Sequence, residues 1–183
     1  MALPQLTLSN SNVPVEMLLT DIKEGATWQQ FELDTPYQRG LVWGEDRKRN
    51  FIKSVLMGIP TGTIVTNGRY HNAEAFMAAG CTFDQAHGYA VIDGKQRITA
   101  LRDFYLENFT VPADWFDVDE IETHAHDNAQ IAFTDLTRPA RLHFQHKPIA
   151  LSTARVTTID DEAEIFDLIN FGGVPQGESD LTP

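Results

Sequence analysis

The run Asp93-Gly94-Lys95-Gln96-Arg97 holds a carboxylate, a glycine, an amide and two cations within five residues, a set of groups suited to binding phosphate. It follows the short apolar stretch Tyr89 to Ile92 and precedes a segment in which Ile98, Leu101 and Tyr105 recur on one helical face to about Asn108. That order reads as strand, tight turn and helix, and it brings the free backbone N–H groups of a helix N-terminus to the turn. Two readings compete. In one, Asp93 is the N-cap and Gln96 completes a capping box, which accounts for both residues without a ligand. In the other, Gly94 lets the backbone approach a bound phosphate, Lys95 supplies a point charge and Arg97 a bidentate fork. Lys95 and Arg97 favour the second. Cations at the positive end of a helix dipole cost roughly 0.3 to 1 kcal/mol each, and a bound anion reverses that sign.

Two further runs carry candidate groups. In Tyr37-Gln38-Arg39-Gly40-Leu41-Val42-Trp43, Gln38 and Arg39 can hold a phosphate or a nucleobase edge. Tyr37 or Trp43 can stack on a base or seal the core, and for Trp43 the core is the better reading. In Asn170-Phe171-Gly172-Gly173, Gly172 suits the position just past a helix end, while Asn170 and Gly173 can line a close approach to a ligand. Arg47, Lys48, Arg49 and Lys53 read as the solvated face of a helix. His124-x-His126 with Asp127, and His143-x-x-His146, lack further ligands at metal-site spacing and read as surface or hydrogen-bonded histidines. Asp114, Asp117, Asp119 and Glu120 read as a solvated acidic loop rather than a Mg²⁺ site. GxxxxGK[ST], GxGxxG, HExxH and GxSxG are absent, which excludes P-loop, Rossmann, zincin and elbow-type hydrolase readings.

The elements that must position these groups belong to a mixed α/β (α+β) pattern. Val15 to Ile22 has roughly helical spacing, Trp28 to Leu33 and Thr61 to Thr66 read as strands, and a short helix fits around Asn72 to Ala79. Glu45 to Met57 is a helix with Phe51, Ile52, Val55 and Leu56 on one face, closed by Gly58. Residues 109–138 are acidic and weakly patterned. Pro148 to Thr157 contains a strand, and Asp160 to Asn170 is a helix expected to turn Ile165, Leu168 and Ile169 inward. At 183 residues, 42% of them apolar, the chain suits a single folded domain. Its organisation is expected to be an N-terminal extension over 1–14, one domain over 15–178 and a tail over 179–183.

Net charge is −12, which argues against a surface that grips nucleic acid throughout. The charge is unevenly spread. Residues 103–135 hold nine acids and no Lys or Arg, residues 156–183 hold seven and none, and the remainder is positive by four. A local anion site, or a local basic patch for DNA, survives the global acidity. The single cysteine, Cys81, excludes an internal disulfide and a Cys-rich zinc centre, and with no long apolar run and no leader pattern a cytoplasmic, membrane-free protein is expected.

Taken together, four segments resemble the N-terminal domain family of GmrSD-type, modification-dependent restriction systems, within the wider ParB/sulfiredoxin-like fold. They are Pro36-Tyr37-Gln38-Arg39 with Trp43, Ser54-Val55-Leu56-Met57-Gly58-Ile59-Pro60-Thr61-Gly62, Ile92-Asp93-Gly94-Lys95-Gln96-Arg97, and Asn170-Phe171-Gly172-Gly173-Val174-Pro175. They occur in the family's order and span about residues 15 to 178. The resemblance implies a compact α/β domain whose DGQQR-like motif binds a nucleoside triphosphate such as ATP or GTP. It further implies hydrolysis with Mg²⁺, coupled to DNA restriction or phage defence. Asp93 would then orient metal or water, and Arg97 with Gln96 would hold phosphate. Gln38 and Arg39 would complete the pocket, and Asn170, Gly172 and Gly173 would close it. Lys95 stands where the family usually has Gln. Larger members continue into a helical region and often an HNH-type nuclease, so this chain is expected to act as a nucleotide module, alone, as an oligomer or beside a separate effector or nuclease protein. Transfer of the phosphate to a hydroxyl acceptor, and nucleotide sensing without turnover, remain as alternatives.

Overall fold

In the computed structural model, which describes residues 6–22, 30–38 and 40–171, the first strand, β1 (Leu8–Pro14), has no amphipathic pattern. Its residues are exposed until Val13, and its seven backbone positions pair antiparallel with Pro148–Ala154. Residues 8–14, read from sequence as an extension ahead of the domain, therefore form an edge strand of the sheet. Next come the single-turn helix α1 (Val15–Leu18), the two-residue strand β2 (Phe31–Glu32), helix α2 (Glu45–Leu56) and strand β3 (Ile64–Gly68). Short helices α3 (Ala73–Ala78) and α4 (Phe83–His87) lead into strand β4 (Tyr89–Asp93) and helix α5 (Lys95–Tyr105). The acidic stretch that follows folds as 3-10 turns and the small ribbon of β5 (Val111–Pro112) with β6 (Gln130–Ile131). Helix α6 (Arg138–Gln145), strand β7 (Pro148–Ala154) and helix α7 (Ile159–Phe171) complete the described chain. The expected mixed α/β class is what the structure shows.

The main sheet runs β1-β7-β3-β4-β2. β7 lies parallel to β3, β3 antiparallel to β4, and β4 parallel to β2. Ala90, Val91 and Ile92 of β4 are fully buried because both faces of the sheet are covered, which is why this strand reads as a continuous apolar run rather than an alternation. Val91 joins the large core formed with α1, α2, α5 and α6, where Phe104 meets Phe144 edge-on at 5.3 Å between ring centres. Ile92 points to the other face and packs with Ala154, Val156 and Ile165 beneath α7. Phe51, Ile52 and Val55 of α2 are buried as expected, with Leu56 packed against them. On α7 only Ile165 of the three expected core residues is buried. Leu168 is 61% and Ile169 40% exposed, and Leu168 falls off the helical face shared by Glu162, Ile165 and Phe166.

The β4-to-α5 turn depends on one glycine. Gly94 has φ +107°, and a Cβ there would stand 2.9 Å from Ile64 Cγ1 on β3. Gly94→Ala is expected to destabilise the domain by at least roughly 1 to 3 kcal/mol from backbone strain alone. Chemical denaturation of the two proteins checks this, and an unchanged midpoint would contradict it.

Candidate functional site

α5 begins at Gly94, not at Asp93. Gly94 is the N-cap in left-handed conformation, no side chain caps the helix, and no acid lies in its first turn. The capping-box reading of Asp93 and Gln96 is therefore overturned: both side chains point elsewhere. Arg97 donates through Nη2 to Asp93 Oδ2 and through Nη1 to the carbonyl of Thr61 at 3.2 Å. Gly62, which follows Thr61, has φ +82°, a conformation that favours glycine, and a Cβ there would meet the end of the Arg97 side chain. Lys95 Nζ reaches Asp34 Oδ1 at 2.6 Å, beyond the end of β2. The two cations of the first turn thus each hold a carboxylate.

Gln96 lies across the Gly40 to Trp43 loop. Its Oε1 accepts from the backbone N–H groups of Val42 and Trp43, each at 3.2 Å, and its Nε2 donates to the Gly40 carbonyl at 3.1 Å. Gln38 fastens the start of the same loop to β4, with Nε2 donating to the carbonyls of Val91 and of Ile92, the latter at 2.8 Å. Its Oε1 is buried without a hydrogen-bond partner among the described residues. These residues, with Trp43, Arg47, Phe166 and Asn170, enclose a cleft of about 690 Å³, within the usual range for small-ligand sites. Asn170 lines it while its own Nδ2 bonds back to the Phe166 carbonyl at 2.8 Å. Arg39, Gly172 and Gly173, and the expected tail over 179–183, lie outside the described residues.

Tyr37 does not reach the cleft as a stacking ring. It leans on Phe166 at 5.7 Å, and its hydroxyl donates to Glu162 Oε2 at 3.1 Å. Glu162 is fully buried and receives three more bonds: from Asn67 Nδ2 at 2.8 Å, Arg69 Nε at 2.8 Å and Arg69 Nη2 at 2.6 Å. Arg69, itself 1% exposed, also pairs through Nη1 with Glu32 at 2.5 Å. This buried network joins α7 to β2, β3 and the Tyr37 loop, and sequence reasoning missed it. Its signal was present: Glu162 falls on the same helical face as Ile165 and Phe166. Burial alone would lower the pKa of Arg69, but the hydrogen bond and charge of Glu162, then the charge of Glu32, more than reverse this. Burial raises the Glu32 pKa above its ordinary value of 4.5 despite the opposing charge and hydrogen bond of Arg69, and the like charge of Glu162 adds to the rise.

A raised carboxyl pKa means that the folded state binds the proton more readily than the unfolded state. The contribution of Glu32 to stability is therefore present below about pH 4.5 and lost as pH climbs through the raised value. Glu32→Gln removes this titration, so stability of the native protein relative to the variant should fall across that window and level off above it. Denaturation midpoints measured for both proteins from pH 4 to 8 check the sign, and a relative stability that rises with pH would contradict it.

The basic residues of α2 are largely engaged within the fold. Lys48 bonds Asp103 at 2.6 Å, Arg49 bonds Glu45, Asp46 and the Thr110 carbonyl, and Lys53 lies over Trp115. Trp43 packs on Phe51, as the core reading held, while also forming cleft wall. His124 contacts Asp135, and His126 contacts the Ile121 carbonyl. Among the described residues no group of three or more His, Cys, Asp or Glu could hold a metal ion.

The cleft unites residues from four separated runs, and a family model describes the same span. The model for the GmrSD restriction endonuclease N-terminal domain matches residues 15–182. The chain belongs to this family. No curated protein and no solved structure matches it. As a GmrSD N-terminal domain, the chain belongs to the setting of DNA restriction and phage defence. Among the described residues of this GmrSD domain no helix is long and apolar enough to cross a membrane.

Proposed function

We propose that this GmrSD N-terminal domain binds a nucleoside triphosphate, with its phosphate chain against the start of α5, and hydrolyses it in the service of DNA restriction. The observation that carries the reading is the uncapped N-terminus of α5, opening into the cleft with Lys95 and Arg97 in its first turn. Backbone N–H groups and two cations at one helix end are complementary to an anion such as phosphate. In this reading Lys95 and Arg97 exchange carboxylate partners for phosphate oxygens. Asp93, released from Arg97, orients the attacking water. Water oxygen bonds to the terminal phosphorus as the bridging P–O bond breaks, giving nucleoside diphosphate, phosphate and a proton. Gln38 and Asn170 face the ligand, with Arg39, Gly172 and Gly173 completing the closure that the resemblance implies.

Gln96 takes a different role from the phosphate contact expected of it. With its Oε1 accepting two N–H groups and its Nε2 donating to Gly40 in the 40–43 loop, it is read as a positioning residue that holds one wall of the cleft against α5. Mg²⁺ fits only as part of the substrate. Asp93 is the one carboxylate among the described cleft-lining residues, and Mg²⁺ held by a single carboxylate relies on phosphate oxygens and water for its other ligands. When bound, the ion would neutralise charge on the phosphate chain. DNA, or a separate nuclease protein, is the proposed partner that nucleotide turnover serves.

The test is phosphate release from each of the four nucleoside triphosphates with Mg²⁺, with and without DNA. Release above a no-protein control is the expected result. A labelled phosphoryl group appearing on an acceptor instead of in solution would turn the reading to phosphotransfer, and binding without turnover would turn it to nucleotide sensing.

A further inference from the structure

Resting on the nucleotide reading above, we propose that Arg47 is a further phosphate-binding residue of this cleft, one that lies outside the Asp93 to Arg97 turn. Sequence pattern alone put Arg47 on a solvated helix face with Lys48, Arg49 and Lys53. Arg47 is exposed, as that reading expects, and differs from Lys48 and Arg49 in what it touches. Arg47 lines the cleft, whereas its neighbours Lys48 and Arg49 are bonded to Asp103 and to Glu45 and Asp46. The other cleft cations, Lys95 and Arg97, are matched with Asp34 and Asp93. Arg47 alone among the cleft-lining cations has no carboxylate partner among the described residues.

Its guanidinium is nevertheless held in place. It lies over the Trp43 ring, 4.9 Å from the ring centre. Trp43 is in turn tied to α5, because its backbone N–H donates to Gln96 Oε1 at 3.2 Å. A guanidinium stacked on an aromatic face keeps its in-plane N–H donors free for a bidentate bond to an anion. The chain of contacts Gln96, Trp43, Arg47 therefore fixes an unmatched, fork-shaped positive charge relative to the N-terminus of α5. A polyphosphate in the cleft meets the matched pairs at one element and this net charge at the other. Arg47 supplies the attraction that the two internally neutralised cations supply only after partner exchange.

Arg47→Met keeps an unbranched side chain on Trp43 and removes the charge. Calorimetric titration of wild type and variant with a nucleoside and its mono-, di- and triphosphate, at low and high salt, tests the assignment. Triphosphate affinity should fall about tenfold or more, with smaller losses for the di- and monophosphate and none for the nucleoside. The loss should shrink as salt rises, and Arg47→Lys should recover part of it. The melting temperature without ligand should stay unchanged. Equal losses across the series, or no loss while wild type binds triphosphate, would overturn the Arg47 assignment alone. A wild-type protein that binds no triphosphate would overturn the nucleotide reading, and this assignment with it.

Discussion

Arg97→Ala should abolish nucleotide-dependent phosphate release and weaken triphosphate binding by roughly 10- to 150-fold, the range for losing a charge-assisted hydrogen bond. The effect is confined to the ligand. Arg97 is 14% exposed and bonds a partly exposed carboxylate, Asp93, and one carbonyl, so its removal leaves no fully buried charge behind. The melting temperature of the free protein should consequently shift by only a few degrees, while the stabilisation added by saturating nucleotide disappears. Arg97→Lys, which keeps the charge without the planar fork, should restore part of the binding. Loss of the fold in Arg97→Ala would assign this residue to structure. Unchanged phosphate release would remove the start of α5 from the reaction.

Glu162→Ala should produce a large loss of stability. Four hydrogen bonds converge on this fully buried carboxylate, two of them from Arg69. Removing it leaves the Arg69 charge in the interior with Glu32 as its remaining carboxylate, and breaking a buried ion pair in this way costs roughly 3 to 5 kcal/mol. For a domain of this size that corresponds to a fall on the order of 6 to 20 °C in melting temperature. Binding should weaken as well, because the Tyr37 hydroxyl loses its acceptor and Tyr37 adjoins Gln38 in the cleft wall. A change below about 1 kcal/mol would show that the network is solvated in solution and does not join α7 to the sheet.

How far the site could be read from sequence depends on the type of interaction. The β4–turn–α5 unit was legible because a buried strand is a continuous apolar run and its helix repeats every three to four residues. The 45–57 helix was legible for the same reason. β1 was not: Leu8-Ser9-Asn10-Ser11-Asn12 is polar and exposed, and only backbone pairing with β7 makes it a strand. The inward placement of Leu168 and Ile169 failed because the pattern counts apolar residues, whereas the face that is buried carries the acid Glu162 with Ile165 and Phe166. The capping alternative at Asp93 is not what forms, for a different reason. A capping box and an ion pair use the same residue types, and the choice was made by Arg97, which draws the Asp93 carboxylate to itself. Gln96 took its role from a partner 53 residues away, across a loop whose path no local pattern encodes, and Arg47 took its role from Trp43, 4 residues before it. Glu162 was readable in principle as an acid on an apolar face, yet its partners Arg69 and Asn67 lie more than 90 residues upstream.

Hydrogen–deuterium exchange of the wild-type protein, with and without Mg²⁺ and a saturating nucleoside triphosphate, tests the central claim most directly. If the phosphate chain sits on the uncapped start of α5, amides over residues 94–97 should gain the strongest protection, with a smaller gain over the 38–43 loop. Nucleotide binding that leaves residues 94–97 unprotected, or protects a different surface, would contradict the account.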